Sequence, residues 1–189
     1  GMGYSGATES VNTYIRETIK TALVSSSSTT VQECLDSGIN GKNIQYQGGY
    51  NVLTGSQTGE SFFDGLSGLG RGIYLTSKIY CTLNYLCKIR YDSGVYFNSS
   101  SNNTITTLTN ANNNNVYGVH FSSSSNNTIT TLTNANNNAS GVYFTSSSNN
   151  TITTLTNANN NNNSGVFSNS SSNNTITTLT NANNNTYGV

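Results

Sequence analysis

Side chains able to do acid–base, redox or metal chemistry are scarce in this 189-residue chain. All seven Lys/Arg and all seven Asp/Glu lie before Gly94, and from there to Val189 the only imidazole is His120. General acid–base catalysis needs two titratable groups within reach of one bond. The densest charged set, Lys78, Lys88, Arg90 and Asp92, reads as a solvated edge and not as a catalytic pair. No enzymatic activity is expected. A soft metal site would ask for several His, Cys or Met donors, and the chain has one His, three Cys and one Met. Cys34, Cys81 and Cys87 follow no zinc spacing. They fit one disulfide plus a thiol, or three thiols. By parity with Leu83, Cys81 faces inward and Cys87 outward. No metal and no cofactor is expected.

Three rows of recurring residues carry other chemistry. Tyr96, His120, Tyr143 and Phe167 share one place in successive repeats. Facing outward, they could stack sugars or a partner. The plainer account is that aromatics suit strands, with His120 a drifted aromatic. Thr104, Thr128, Thr151 and Thr175 form a second row, paralleled by Thr106, Thr130, Thr153 and Thr177. Thr-x-Thr rows stacked at about 4.8 Å are similar to the flat faces of ice-binding β-solenoids, although Thr is also a good solvent-facing strand residue. Asn102, Asn126, Asn149 and Asn173 each begin an Asn-x-Thr sequon at one place in every repeat. They are the regular members of a larger set that includes Asn98, Asn138, Asn162, Asn169 and Asn184. In so Asn-rich a chain the motif alone is weak.

What positions these rows is a repeat. The block SSNNTITTLTNANNN begins at Ser100, Ser124, Ser147 and Ser171. A Gly-Val anchor falls at Gly94, Gly118, Gly141, Gly165 and Gly188, with spacings of 24, 23, 24 and 23 residues. A fixed period in this range means stacked units that bury their apolar faces only against one another. Gly72-Ile-Tyr-Leu matches Gly94-Val-Tyr-Phe, and Leu83 and Leu86 stand where Ile105 and Leu108 stand one repeat later. About five coils follow: 72–93, 94–117, 118–140, 141–164 and 165–187. Val95 and Phe97 share parity and face inward. Ile105 and Leu108 also face inward but lie three apart, so the chain must bend between Thr106 and Thr107. Asn tolerates the left-handed backbone that corners need, and stacked Asn side chains can form a ladder. Residues 1–71 read as a cap. Its apolar residues Val11, Tyr14, Ile15, Ile19, Ala22 and Leu23 predict a helix over about 9–24. Strand-like pieces lie at 43–47 and 50–53.

The GVYF anchor and the fifteen-residue block resemble the repeats of NosD-like and pectate-lyase-like proteins, over 72–189. The resemblance implies an all-β fold, a right-handed parallel β-helix. It is specific for the fold and poor for function, since this architecture hosts enzymes, adhesins and inert stalks. NosD proteins are linked to copper-site maturation, which would favour His, Met or Cys ligands.

Composition narrows the classes further. Hydrophobic residues make up 33% and charged residues 7%, against roughly 45–50% and 25% in ordinary domains. From Gly94 to Val189 there are no cations to bind nucleic acid, and no run of 18 apolar residues suggests a membrane span. The expected role is a non-catalytic structural β-solenoid of an extracellular or cell-surface assembly, without a visible signal peptide. The last coil, ending at Tyr187-Gly188-Val189, is expected to self-associate head to tail as a fibril subunit. Alternatives are a glycan-binding adhesin that uses the aromatic row and an ice-binding protein that uses the Thr rows. Dense sequons point to a glycoprotein.

Overall fold

The computed structural model describes residues 44–47, 61–64, 71–77, 81–84 and 86–189. The expected helix over 9–24, the strand-like piece at 50–53, Cys34 and Lys78 lie outside the described residues, as do the side-chain directions of Cys81 and Cys87. Thirteen strands are described: β1 (Ile44–Gln47), β2 (Ser61–Asp64), β3 (Arg71–Thr76), β4 (Cys81–Asn84), β5 (Leu86–Ile89), β6 (Ser93–Asn98), β7 (Thr104–Asn112), β8 (Tyr117–Ser122), β9 (Thr128–Asn134), β10 (Ser140–Thr145), β11 (Thr151–Asn157), β12 (Ser164–Asn169) and β13 (Thr175–Asn181).

These strands form two parallel sheets. One runs β3-β6-β8-β10-β12, and the other runs β1-β4-β7-β9-β11-β13 with β2 and β5 alongside. Successive coils contribute one segment to each sheet, so the chain is an all-β parallel solenoid. Four full turns separate β3 from β12, and a fifth coil closes at the bridge from Tyr187 back to Ser164. Leu83 pairs with Ile105 and Leu86 with Leu108, as the repeat alignment predicts. Pairing also reaches into the segment assigned to the cap, because β1 and β2 stack in parallel on β4 and β5.

The core is a set of columns one residue wide. Ile105, Leu108 and Ala111 are fully buried, and so are Ile129, Leu132 and Ala135 one coil on. Inward residues three apart require a bent strand. The β7–β9 register accordingly pairs residues 104, 105, 107, 108 and 110 and passes over 106 and 109. From the other sheet, Val95, Val119, Val142 and Val166 form one buried column. Phe97, Phe121 and Phe144 form another, with parallel rings 4.7 and 5.0 Å apart. Glycine precedes each valine because the backbone of the next coil passes there. A Cβ on Gly141 would lie 2.6 Å from Gly165 O and 2.7 Å from Ala135 O, two backbone atoms that cannot yield.

Corners recur in three columns of left-handed residues. Two are asparagine: Asn102, Asn126, Asn149 and Asn173, and Asn113, Asn137, Asn160 and Asn184. The third is serine: Ser99, Ser123, Ser146 and Ser170. Serine is a less obvious choice for positive φ, but the following hydroxyl closes the turn. Ser124 Oγ donates to Ser122 O and Ser147 Oγ to Thr145 O, both at 2.8 Å.

Beside the corners run two buried amide ladders. In one, Asn103 N and Nδ2 both donate to Asn127 Oδ1 at 3.0 Å. Asn127 Nδ2 donates to Ser100 O at 2.9 Å and to Asn150 Oδ1 at 3.0 Å. Asn127 and Asn150 are completely buried. The other ladder runs through Asn114, Asn138 and Asn161 in the same pattern. It ends less perfectly, since Asn161 N donates to Asn185 Oδ1 at 2.8 Å while Asn161 Nδ2 has no partner. Asn127→Ala would strip an acceptor from two buried donors and a donor from two acceptors. It should cost about 3 kcal/mol or more. Asn126→Gly, at the neighbouring exposed corner, should stay within about 0.5 kcal/mol. Urea unfolding of the two variants checks the contrast.

Candidate functional site

The best-developed surface feature lies on the outer face of the β3–β12 sheet. Strand alternation puts Tyr74, Tyr96, His120, Tyr143 and Phe167 on that face, and parallel register stacks them in one column. Ring centroids are 5.2 Å apart for Tyr74–Tyr96, 4.5 Å for Tyr96–His120 and 5.4 Å for Tyr143–Phe167. The His120 and Tyr143 rings are tilted by 51° at 5.1 Å. Tyr117 slots in beside that tilt, 4.4 Å from His120 and stacked on Tyr143 at 4.8 Å. At the other end, the Arg71 guanidinium carbon lies 4.5 Å from the Tyr74 ring centre and 4.8 Å from that of Tyr96, a cation–π arrangement.

The four residues singled out from sequence are therefore together, but they are not an exposed row. His120 is only 8% exposed, Tyr96 and Tyr143 are half-buried, and Phe167 is 40% exposed. The cause is that the rings cover one another's faces in parallel stacking. A sugar would meet mostly their edges. Three members escaped the sequence reading. Tyr74 was within reach, because its Gly-Ile-Tyr-Leu motif aligns with that of Tyr96. Tyr117 stands where neighbouring coils have Ser93 and Ser140, and Arg71 precedes the glycine anchor. Tyrosine returns at this place only at Tyr187, which pairs with Ser164, and Arg71 has no basic counterpart in later coils.

Burial sets the chemistry of His120. Its Nε2 lies 3.4 Å from Thr145 Oγ1, and its Nδ1 is buried with no partner among the described residues. Desolvation, reinforced by the Arg71 charge, lowers its pKa to about 4. Burial likewise raises the phenol of Tyr117 above its ordinary value, with Tyr143 and Asp92 adding to the effect. The imidazole is thus neutral near pH 7 and acts as one more aromatic disc. Below about pH 6.5 the unfolded chain takes up a proton that the folded chain refuses until about pH 4. Stability should therefore fall as pH drops through this window, by at most about 3 kcal/mol. Thermal melts from pH 7.5 to pH 4 check this, and His120→Phe should flatten the dependence.

Other features fall elsewhere. The first Thr row is in register along β7, β9, β11 and β13. Thr104, Thr128 and Thr151 are half-buried and Thr175 exposed, while Thr130, Thr153 and Thr177 are exposed and Thr106 half-buried. Asn102, Asn126, Asn149 and Asn173 are all exposed, but the sequon residue Asn138 is 1% exposed and belongs to a ladder. The expected solvated charged edge needs correction at Lys88, which is completely buried. A register shift in β5 places it opposite Ala111, a core position. Arg90 is exposed and Asp92 half-buried.

The family model described as "Periplasmic copper-binding protein (NosD)" matches residues 50–189, which span β2 to β13. The chain belongs to the NosD family. The match starts upstream of Gly72, in keeping with the pairing of β2 on β5. No curated protein and no solved structure matches the chain. The described donors of this NosD-family solenoid do not fit a copper ion. No three His, Cys, Asp or Glu among the described residues lie close enough to share a metal, and His120 is enclosed by rings. No described helix is long and apolar enough to cross a membrane.

Proposed function

We propose that this chain is a non-catalytic structural solenoid working outside the cytoplasm, in the cell envelope or beyond it. One observation carries the reading: the repeated polar residues are engaged in holding coil to coil. Asn103, Asn127 and Asn150 bond the next coil by side chain and backbone, and Ser100, Ser124 and Ser147 repeat the device through Oγ acceptors. Around them, from Gly94 to Val189, no Lys, Arg, Asp or Glu stands on the coils to perform catalysis. The periplasmic description of the family supports the location. The copper binding in the family's printed name finds no donor set among the described residues and forms no part of the reading.

Assembly extends the same reading. β12 and β13 are edge strands, and Ile176 and Leu179 are only partly buried against the core. One more coil of the same kind would cover them, supplied by a second copy of the chain or by further repeat residues. A second reading, glycan binding along the aromatic column, draws on the continuity of that column from Tyr74 to Phe167. It requires saturable sugar binding that is lost in the double variant Tyr96→Ala, Tyr143→Ala.

Electron microscopy and sedimentation across a concentration series test the structural reading. Rods that lengthen with concentration are expected. Monomers at every concentration would remove self-association, and polysaccharide cleavage by the purified chain would remove the non-catalytic role.

A further inference from the structure

The repeat contains six columns of asparagine, and five of them are tied up. The Asn103 and Asn114 columns form the buried ladders. In the Asn110 column, Asn134 Nδ2 donates to Asn110 Oδ1 at 2.7 Å and Asn157 Nδ2 to Asn134 Oδ1 at 2.8 Å. In the Asn112 column, Oδ1 of one coil accepts from the backbone N–H of the next. In the Asn113 column, Asn137 bonds Asn113 and Asn184 bonds Asn160. The sixth column is Asn102, Asn126, Asn149 and Asn173. Its side chains are exposed, and while the backbone N–H groups of Asn102, Asn126 and Asn149 bond the next coil, its side-chain amides make no hydrogen bond among the described residues. It is also the column in which every asparagine has threonine two residues on.

We infer that this corner is an N-glycosylation column whose occupancy the fold limits to every second coil. The chemistry is amide alkylation by a sugar carried on a diphosphate. Asparagine Nδ2 forms a bond to the sugar C1, the C1–O bond to the diphosphate breaks and leaves with its electron pair, and the amide proton passes to the transferase's base. Each of these asparagines sits at a left-handed corner, with φ between 54° and 57°, and its side chain is exposed and outside the ladders. Attachment therefore costs no coil-to-coil bond. Spacing sets the limit. Register places Thr104, Thr128, Thr151 and Thr175 directly over one another, so the asparagines two residues before them are also one strand apart, about 4.8 Å. An N-acetylated hexose is wider than one strand spacing, so neighbouring sugars collide. Two coils, about 10 Å, give room.

The test uses the full chain secreted from a eukaryotic host in two forms. Asn126→Gly with Asn173→Gly leaves Asn102 and Asn149, two coils apart. Asn149→Gly with Asn173→Gly leaves Asn102 and Asn126 on neighbouring coils. Glycine suits a left-handed corner, so both forms should fold. In intact mass, the heaviest species of the first form should carry one glycan more than the heaviest of the second. An amidase specific for asparagine-linked glycans should release the column sugars. Equal maximum numbers, glycans on Asn102 and Asn126 of one molecule, a bare column or amidase-resistant sugar on threonine would each overturn the proposal.

Discussion

The primary amide of a buried asparagine, bonded both to the coil before and to the coil after, is the constraint on which the rest of this solenoid depends. A coil only one inward residue wide per face cannot bury much apolar surface. It must also turn corners, and each corner brings backbone polar groups into the interior that need partners. Asparagine carries a two-proton donor and a two-lone-pair acceptor on one short side chain. Asn127 uses both, accepting twice from Asn103 and donating to Ser100 and Asn150. Such a network is stabilising only when nearly every member is satisfied. That condition requires the same residue at the same place in the next coil, which accounts for the near-identity of the repeats.

The same condition explains what the coils may vary. Positions on the ladders, the Gly-Val anchor and the Ile and Leu columns are repeated almost without change. Variation gathers on the outer face of the short sheet, where Tyr96, His120, Tyr143 and Phe167 replace one another with only ring stacking to satisfy. Stacked rings hold the neutral form of His120 and carry Arg71 at one end. That face and the free asparagine corner are two of the surfaces that the ladders leave unused, beside the half-buried to exposed Thr rows.

Much of this was legible in the sequence, because stacking turns periodicity directly into geometry. The 23- and 24-residue spacing gave the register of Ile105 on Ile129, and two inward residues three apart required the bend. The aromatic column followed from strand parity. What resisted reading were features set by contacts outside the pattern. The burial of His120 depends on Tyr117, which occupies a position that is serine in the two adjacent coils. The burial of Lys88 depends on a one-residue register shift opposite Ala111. The six asparagine columns look alike as letters, and two of them occupy left-handed corners, so only the coil-to-coil contacts of the side chains separate the five that are bonded from the one that is free.

Native-state amide hydrogen exchange tests the role of the ladders most directly. The backbone N–H groups of Asn103, Asn127 and Asn150 donate to side chains and not to a strand partner. If the ladders hold the coils together, these protons exchange only on global unfolding, as slowly as those of Ile129 and Leu132 in the adjoining strand. Exchange at rates near those of an unstructured peptide, while the strands stay protected, would contradict the ladders' role as the framework of the fold.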